Sequence, residues 1–161
     1  MKNKIFIFDL DDTLYKEIDF LYSAYREIAG WIELKFSLKG IYAFMLETYK
    51  EQGDVFSRLI DTYDLSLTKA DLLSIYRSHR PNIRLELDTL KALEVLKQDF
   101  ILGMITDGRS ITQRNKFQAL GLEQFIENEN LVISEEFGSE KPSERNFMFF
   151  QDKYADAEFV Y

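Results

Sequence analysis

Apolar and polar positions change their period twice along this chain. Ile5, Phe6, Ile7 and Phe8 form an unbroken apolar run that stops at Asp9. A short run of β-branched and aromatic residues predicts a strand with both faces buried, as at the centre of a parallel sheet covered by helices. From about Tyr15 to Pro81 the spacing turns helical. Phe20, Leu21, Ala24, Tyr25, Ile28 and Ile32 make one stripe; Ile41, Phe44, Met45 and Thr48 a second; Phe56, Leu59, Ile60 and Tyr63 a third. Thr68 with Asp71 has capping-box spacing and opens a fourth helix through Leu72, Ile75 and Tyr76, with Pro81 beyond its end. Gly30, Gly40 and Gly53 are expected to break helices or end them, and His79, near a helix end, is expected at the surface.

Helix and strand then alternate. Leu87, Leu90, Leu93 and Leu96 predict a helix, and Phe100 to Ile105 a second strand ending in Thr106, Asp107, Gly108 and Arg109. Ser110 and Gln113 have capping-box spacing for the helix that carries Phe117 and Leu120. Leu131 to Ile133 is a third strand, Pro142 suits a first helical position, and Phe147, Phe150 and Tyr154 give that helix its face. Glu158 to Tyr161 begins a fourth strand. A helical insert inside a β-α series predicts an α/β fold: a parallel-sheet core, residues 1–14 and 86–161, carrying an all-helical cap, residues 15–85.

With 161 residues, 46% hydrophobic and 15% aromatic, the chain can bury a real core. A formal charge of -8 argues against nucleic acid or an anionic membrane as a general partner, since either needs an excess of Lys and Arg. With no cysteine, thiolate metal sites are excluded, and a single histidine makes a histidine-based zinc site implausible. The N-terminal apolar run is too short for a signal peptide and no run reaches membrane-spanning length, so a soluble, cytoplasmic protein is expected.

The chemistry gathers at strand ends. Asp9 and Asp11 are two residues apart, so on extended backbone both carboxylates leave on one side, outside the carboxyl end of the first strand. Asp12 points the other way and is expected to cap or turn the chain. Thr106 ends the second strand and Lys141 lies in the loop after the third. Two acids, a hydroxyl and an ammonium at one sheet edge suit phosphoryl transfer. Asp9 would attack phosphorus to give an aspartyl-phosphate, and Asp11 would protonate the leaving alkoxide and then activate water. Mg²⁺, which favours oxygen ligands, would unite Asp9 with the phosphate; Thr106 and Lys141 would hold the other phosphoryl oxygens.

Asp9-Leu10-Asp11-Asp12-Thr13-Leu14, Ile105-Thr106-Asp107-Gly108 and Lys141-Pro142 resemble the first three motifs of the haloacid dehalogenase-like hydrolase superfamily, with a small helical cap as in its subfamily I. The resemblance implies a Rossmann-like core with Asp9 as nucleophile and Asp11 as acid/base. It implies phosphate binding by Thr106, Asp107 and Lys141, and Mg²⁺ held by the Asp9 side chain and the Asp11 backbone carbonyl. An acid at position 11 favours a phosphatase over a dehalogenase.

The chain departs from the pattern at the fourth motif, an acidic pair that would follow the strand at Glu158 to Tyr161. A truncated core without its last strand and helix is therefore expected, with an exposed sheet edge through which two chains could pair. The leading expectation is a Mg²⁺-dependent phosphatase for a small phosphorylated metabolite. A phosphomutase, or an impaired fragment that only binds phosphate or a partner, are the alternatives.

Overall fold

The computed structural model describes residues 4–161. These form a four-stranded parallel sheet in the order β3-β2-β1-β4, built from β1 (Lys4–Phe8), β2 (Ile101–Thr106), β3 (Leu131–Ile133) and β4 (Glu158–Val160). Between β1 and β2 lie α1 (Glu17–Phe36), α2 (Ile41–Lys50), α3 (Val55–Thr62), α4 (Lys69–Ser78) and α5 (Leu87–Asp99). After β2 come α6 (Ser110–Ala119), the single turn α7 (Ser134–Phe137) behind β3, and α8 (Glu144–Lys153) before β4. The arrangement is an α/β, Rossmann-type fold.

Strand periodicity sends alternate side chains to opposite faces. On one face Leu102 and Met104 pack with Leu93 of α5 and with Phe117 and Leu120 at α6. On the other, Ile5, Ile7, Ile105 and Val132 pack with Phe150 of α8. Gly103 belongs to this second face because a Cβ there would sit 2.6 Å from the Phe150 ring. The strand thus gives up one side chain so that a fully buried aromatic can come close against it.

A separate apolar cluster is made by α1–α4, with Ile28, Ile32, Ile41, Met45, Leu59 and Leu72 wholly buried. Asp54 caps α3, and Thr68 and Asp71 form the expected capping box on α4. Two expectations fail here. Gly30 lies inside α1, which runs through it without a break. His79 is 5% exposed, not superficial: its ring bonds the Tyr76 carbonyl at 2.8 Å and Ser23 Oγ at 3.2 Å and lies against Phe20. Burial holds the imidazole below the ordinary histidine pKa despite the Tyr76 carbonyl and Glu27, which act the other way.

Two predicted helix starts also differ. Pro142 precedes α8 rather than opening it, and Ser143 is the cap, its Oγ accepting from Arg145 N. Gln113 does not close a capping box on Ser110; its side chain turns inward to the sheet edge. Chain order reverses at β1, since β2 and β3 extend to one side and β4 to the other. In open α/β sheets ligands bind outside the strand ends at such a switch point.

Candidate active site

The chain after β1 turns sharply. Asp12 takes a left-handed conformation, φ 56°, and its Oδ1 accepts from Glu17 N at 2.9 Å, satisfying a donor at the start of α1. Asp12 is thereby occupied as a cap, as the sequence suggested. Asp9 and Asp11 are left at the sheet edge, and each has its own lysine.

Lys141 Nζ lies 2.5 Å from Asp9 Oδ1 and 3.3 Å from the Ile105 carbonyl, which bridges the ends of β1 and β2. Burial alone would lower the Lys141 pKa; the hydrogen bond and charge of Asp9 more than offset it and hold the ammonium above its ordinary value. The other Asp9 oxygen accepts no hydrogen bond among the described residues. Asp107 faces the main chain of the same loop: its carboxylate accepts from Lys141 N at 3.1 and 3.3 Å. Thr106 is 1% exposed, and its Oγ1 is buried with no hydrogen-bond partner. A buried hydroxyl without a partner costs stability, so this orphan at the end of β2 is a donor that an oxygen-rich ligand could satisfy.

Asp11 is held far more firmly. Among the described residues three side chains donate to it: Tyr15 OH to Oδ1 at 2.6 Å, Lys116 Nζ to Oδ1 at 2.7 Å and Gln113 Nε2 to Oδ2 at 3.0 Å. Lys116 is 3% exposed, and the Phe20 ring of α1 lies 4.5 Å from its Nζ. Burial, then the hydrogen bond and charge of Asp11, push the Tyr15 phenol far above its ordinary pKa, so it remains a donor. Gln113 is itself fixed by donating to the Asp107 carbonyl at 2.6 Å. Gly108, φ +140°, makes that approach possible, since a Cβ there would lie 2.7 Å from Gln113 Nε2.

Sequence reasoning brought Asp9, Asp11, Thr106 and Lys141 to one sheet edge but missed Tyr15, Gln113 and Lys116. The signal was present in α6. Gln113 and Lys116 are three apart, on the same inner face as Phe117 and Leu120, where a helix stripe should be apolar. A glutamine and a lysine there must meet a buried partner.

Two further acids lie nearby and are spoken for. Glu135 pairs with Arg109 at 2.5 Å and accepts from Ser110 N at 2.7 Å; Glu136 pairs with Arg114 at 2.6 Å. These pairs tie Arg109 and the first turns of α6 to α7 and occupy both carboxylates. No group of three or more acids or histidines that could hold a metal occurs among the described residues. A cation here would have to use the free oxygen of Asp9, main-chain carbonyls, water and substrate. That donor set is all oxygen and suits Mg²⁺, which keeps several waters and commonly takes one or two carboxylates plus phosphate. No helix among the described residues is long and apolar enough to cross a membrane.

Known proteins share this fold and much of this sequence pattern. Residues 6–155 match the family model described as haloacid dehalogenase-like hydrolase. Glyceraldehyde 3-phosphate phosphatase of Methanocaldococcus jannaschii is 30% identical over 148 residues, 84% of this chain and 64% of its own length. The enzyme of the same name from Methanopyrus kandleri is 28% identical over 90% of this chain and 67% of its own. The chain thus spans about two thirds of the length of these relatives. Among solved structures, the HAD-hydrolase YfnB of Bacillus subtilis bound to magnesium superposes with a TM-score of 0.62 at 19% identity, covering 95% of this chain and 73% of that one. A subfamily IA hydrolase of Geobacter sulfurreducens gives 0.63 at 16% identity, over 98% of this chain and 77% of its own. The fold, the strand-end motifs and the match along nearly the whole chain agree: this protein belongs to the haloacid dehalogenase-like hydrolases.

Proposed function

We propose that this chain carries the active site of a phosphatase for small phosphate monoesters, working through a covalent phospho-aspartate. The observation that carries the reading is the Asp9–Lys141 pair at the carboxyl end of β1, with the unpartnered Thr106 hydroxyl at the end of the neighbouring β2. An anion with several oxygens completes all three. The names of the archaeal relatives make glyceraldehyde 3-phosphate the first substrate to test.

In the first step Asp9 attacks phosphorus, the ester P–O bond breaks, and Asp11 gives a proton to the departing alcohol oxygen. In the second, water attacks the phospho-aspartate, Asp11 takes a proton from it, and inorganic phosphate leaves. Thr106 donates to one phosphoryl oxygen and Lys141 neutralises another. Asp107 contributes at one remove by holding the Lys141 main chain, because its own carboxylate would repel phosphate. Mg²⁺, held by Asp9 and by the main-chain carbonyl of Asp11, would supply charge neutralisation between nucleophile and phosphate. The helices α1–α4 would serve as a cap that shields the reaction from water and reads the leaving group.

A second reading is a chain that binds phosphate without turning it over, favoured by the absence of a three-acid cluster among the described residues. Phosphate release from glyceraldehyde 3-phosphate and other small monoesters, with excess MgCl₂, separates the two. Release that disappears in Asp9→Asn supports the phosphatase. No release, with inorganic phosphate still bound in calorimetry, supports the binding protein.

A further inference from the structure

Resting on the phosphatase reading, we propose that Lys116 and Tyr15 are positioning residues that select which oxygen of Asp11 handles the proton. A carboxylate is two-fold about its last torsion, so an unrestrained aspartate presents either oxygen to a leaving group. Here the two oxygens are not equivalent. Oδ1 receives both Tyr15 OH at 2.6 Å and Lys116 Nζ at 2.7 Å, which fill its two lone-pair directions. Among the described residues Oδ2 receives Gln113 Nε2 alone, at 3.0 Å, and keeps a direction free for a proton. Oδ2 is therefore the working oxygen.

The clamp is built to stay in place. Lys116 is 3% exposed, and Asp11 is the carboxylate it pairs with among the described residues, so its ammonium is held in the interior against that carboxylate. The Phe20 ring at 4.5 Å closes its other side. Because Phe20 belongs to α1, the helical layer takes part in aiming Asp11. A lysine whose charge acted only on the phosphoryl group would affect both esters alike. A lysine that aims the acid matters most where the acid matters most.

The experiment compares kcat/KM for two monoesters, since this ratio reports only the steps through release of the alcohol. The nitrophenolate of p-nitrophenyl phosphate leaves without a proton, whereas the alkoxide of glycerol phosphate needs one. Lys116→Met should lower kcat/KM for glycerol phosphate on the order of tenfold more than for the nitrophenyl ester, a fraction of what general acid catalysis supplies. Tyr15→Phe, which removes a single hydroxyl, should shift the ratio the same way by less. If Lys116→Met does not fold, the Tyr15→Phe ratio decides alone. Equal losses on both esters, or an unchanged ratio, in variants of an enzyme whose turnover depends on Asp9 overturn the positioning role and leave the phosphatase standing. No Asp9-dependent turnover of either ester overturns the phosphatase reading, and the positioning role falls with it.

Discussion

Lys141, in the loop between α7 and α8, and Asp9, just past the end of β1, are 132 residues apart in sequence and meet at 2.5 Å. The pair changes what neutralising Asp9 should do. Two carboxylates two residues apart suggest repulsion that an amide would relieve, yet each acid here has its own lysine. Asp9→Asn should therefore abolish phosphate release, by at least about a hundredfold, without the gain in stability that relief of repulsion would bring. Both partners of the Asp9 pair are partly exposed, so any loss of stability should be small. Phosphate release and thermal unfolding of the purified variant check both halves. Turnover near the wild-type level would remove Asp9 from the nucleophile role.

Thr106 offers a test in which stability and activity move in opposite directions. Its hydroxyl is buried without a partner, and valine has nearly the same shape. Thr106→Val should stabilise the ligand-free protein by about 1 kcal/mol, the scale of a buried unsatisfied polar group, while raising KM for phosphate esters. Urea unfolding and steady-state kinetics measure the two. A destabilised Thr106→Val protein with unchanged KM would make the hydroxyl an ordinary structural group.

His79 should make stability depend on pH. Its folded pKa lies below the ordinary value of 6.5, chiefly through burial, so between those two values the unfolded chain binds more protons than the folded one. Stability from this group is complete above about pH 6.5 and is lost as pH falls through the folded value, at no more than about 1.4 kcal/mol per unit. His79→Gln should flatten that part of the profile. The measurement is urea unfolding at pH 7.5 and 5.5, and identical slopes for the two proteins would contradict the assignment.

Gly103→Ala tests the seat of Phe150. The added methyl would meet the ring at 2.6 and 2.9 Å in a core with no room to yield cheaply. A loss of about 1–3 kcal/mol is expected, read as a lower thermal midpoint. Pairing it with Phe150→Leu should recover part of the loss, and full additivity of the two substitutions would show that they do not touch.

The strands and the acids at their ends were readable because their signals are local. A buried run closing on Asp9, and another on Thr106, needs no knowledge of partners. His79, Gln113 and Lys116 were not readable in the same way. Gln113 and Lys116 are polar residues on a face that helical spacing assigns to the core, and His79 follows the last residue of α4; the meaning of each depends on a group far away in sequence, Ser23 for His79 and Asp11 for the other two. Periodicity says that Gln113 and Lys116 are buried but not what they meet, and past a helix end it says nothing of His79. The capping box missed at Ser110 has a similar cause, since Gln113 is drawn to Asp11, and at α8 the cap falls on Ser143, which leaves Pro142 just outside the helix it was expected to open.

The register of the sheet also sets an order in time. Ile5 pairs with Ile101 on one side and Phe159 on the other, so the strand bearing Asp9 has no neighbour until more than half the chain exists. The cluster within α1–α4 draws its buried residues from 25–72 and needs none of the later strands. At about 5–20 residues per second, a ribosome would leave β1 unpaired for on the order of 5–20 s while those helices are already able to pack. Sheet closure over so long a loop is intrinsically slow, so helical signal should form ahead of the β1–β2 pairing during refolding. Asp9, the proposed nucleophile, is among the first residues made and, by this topology, among the last to be put in place.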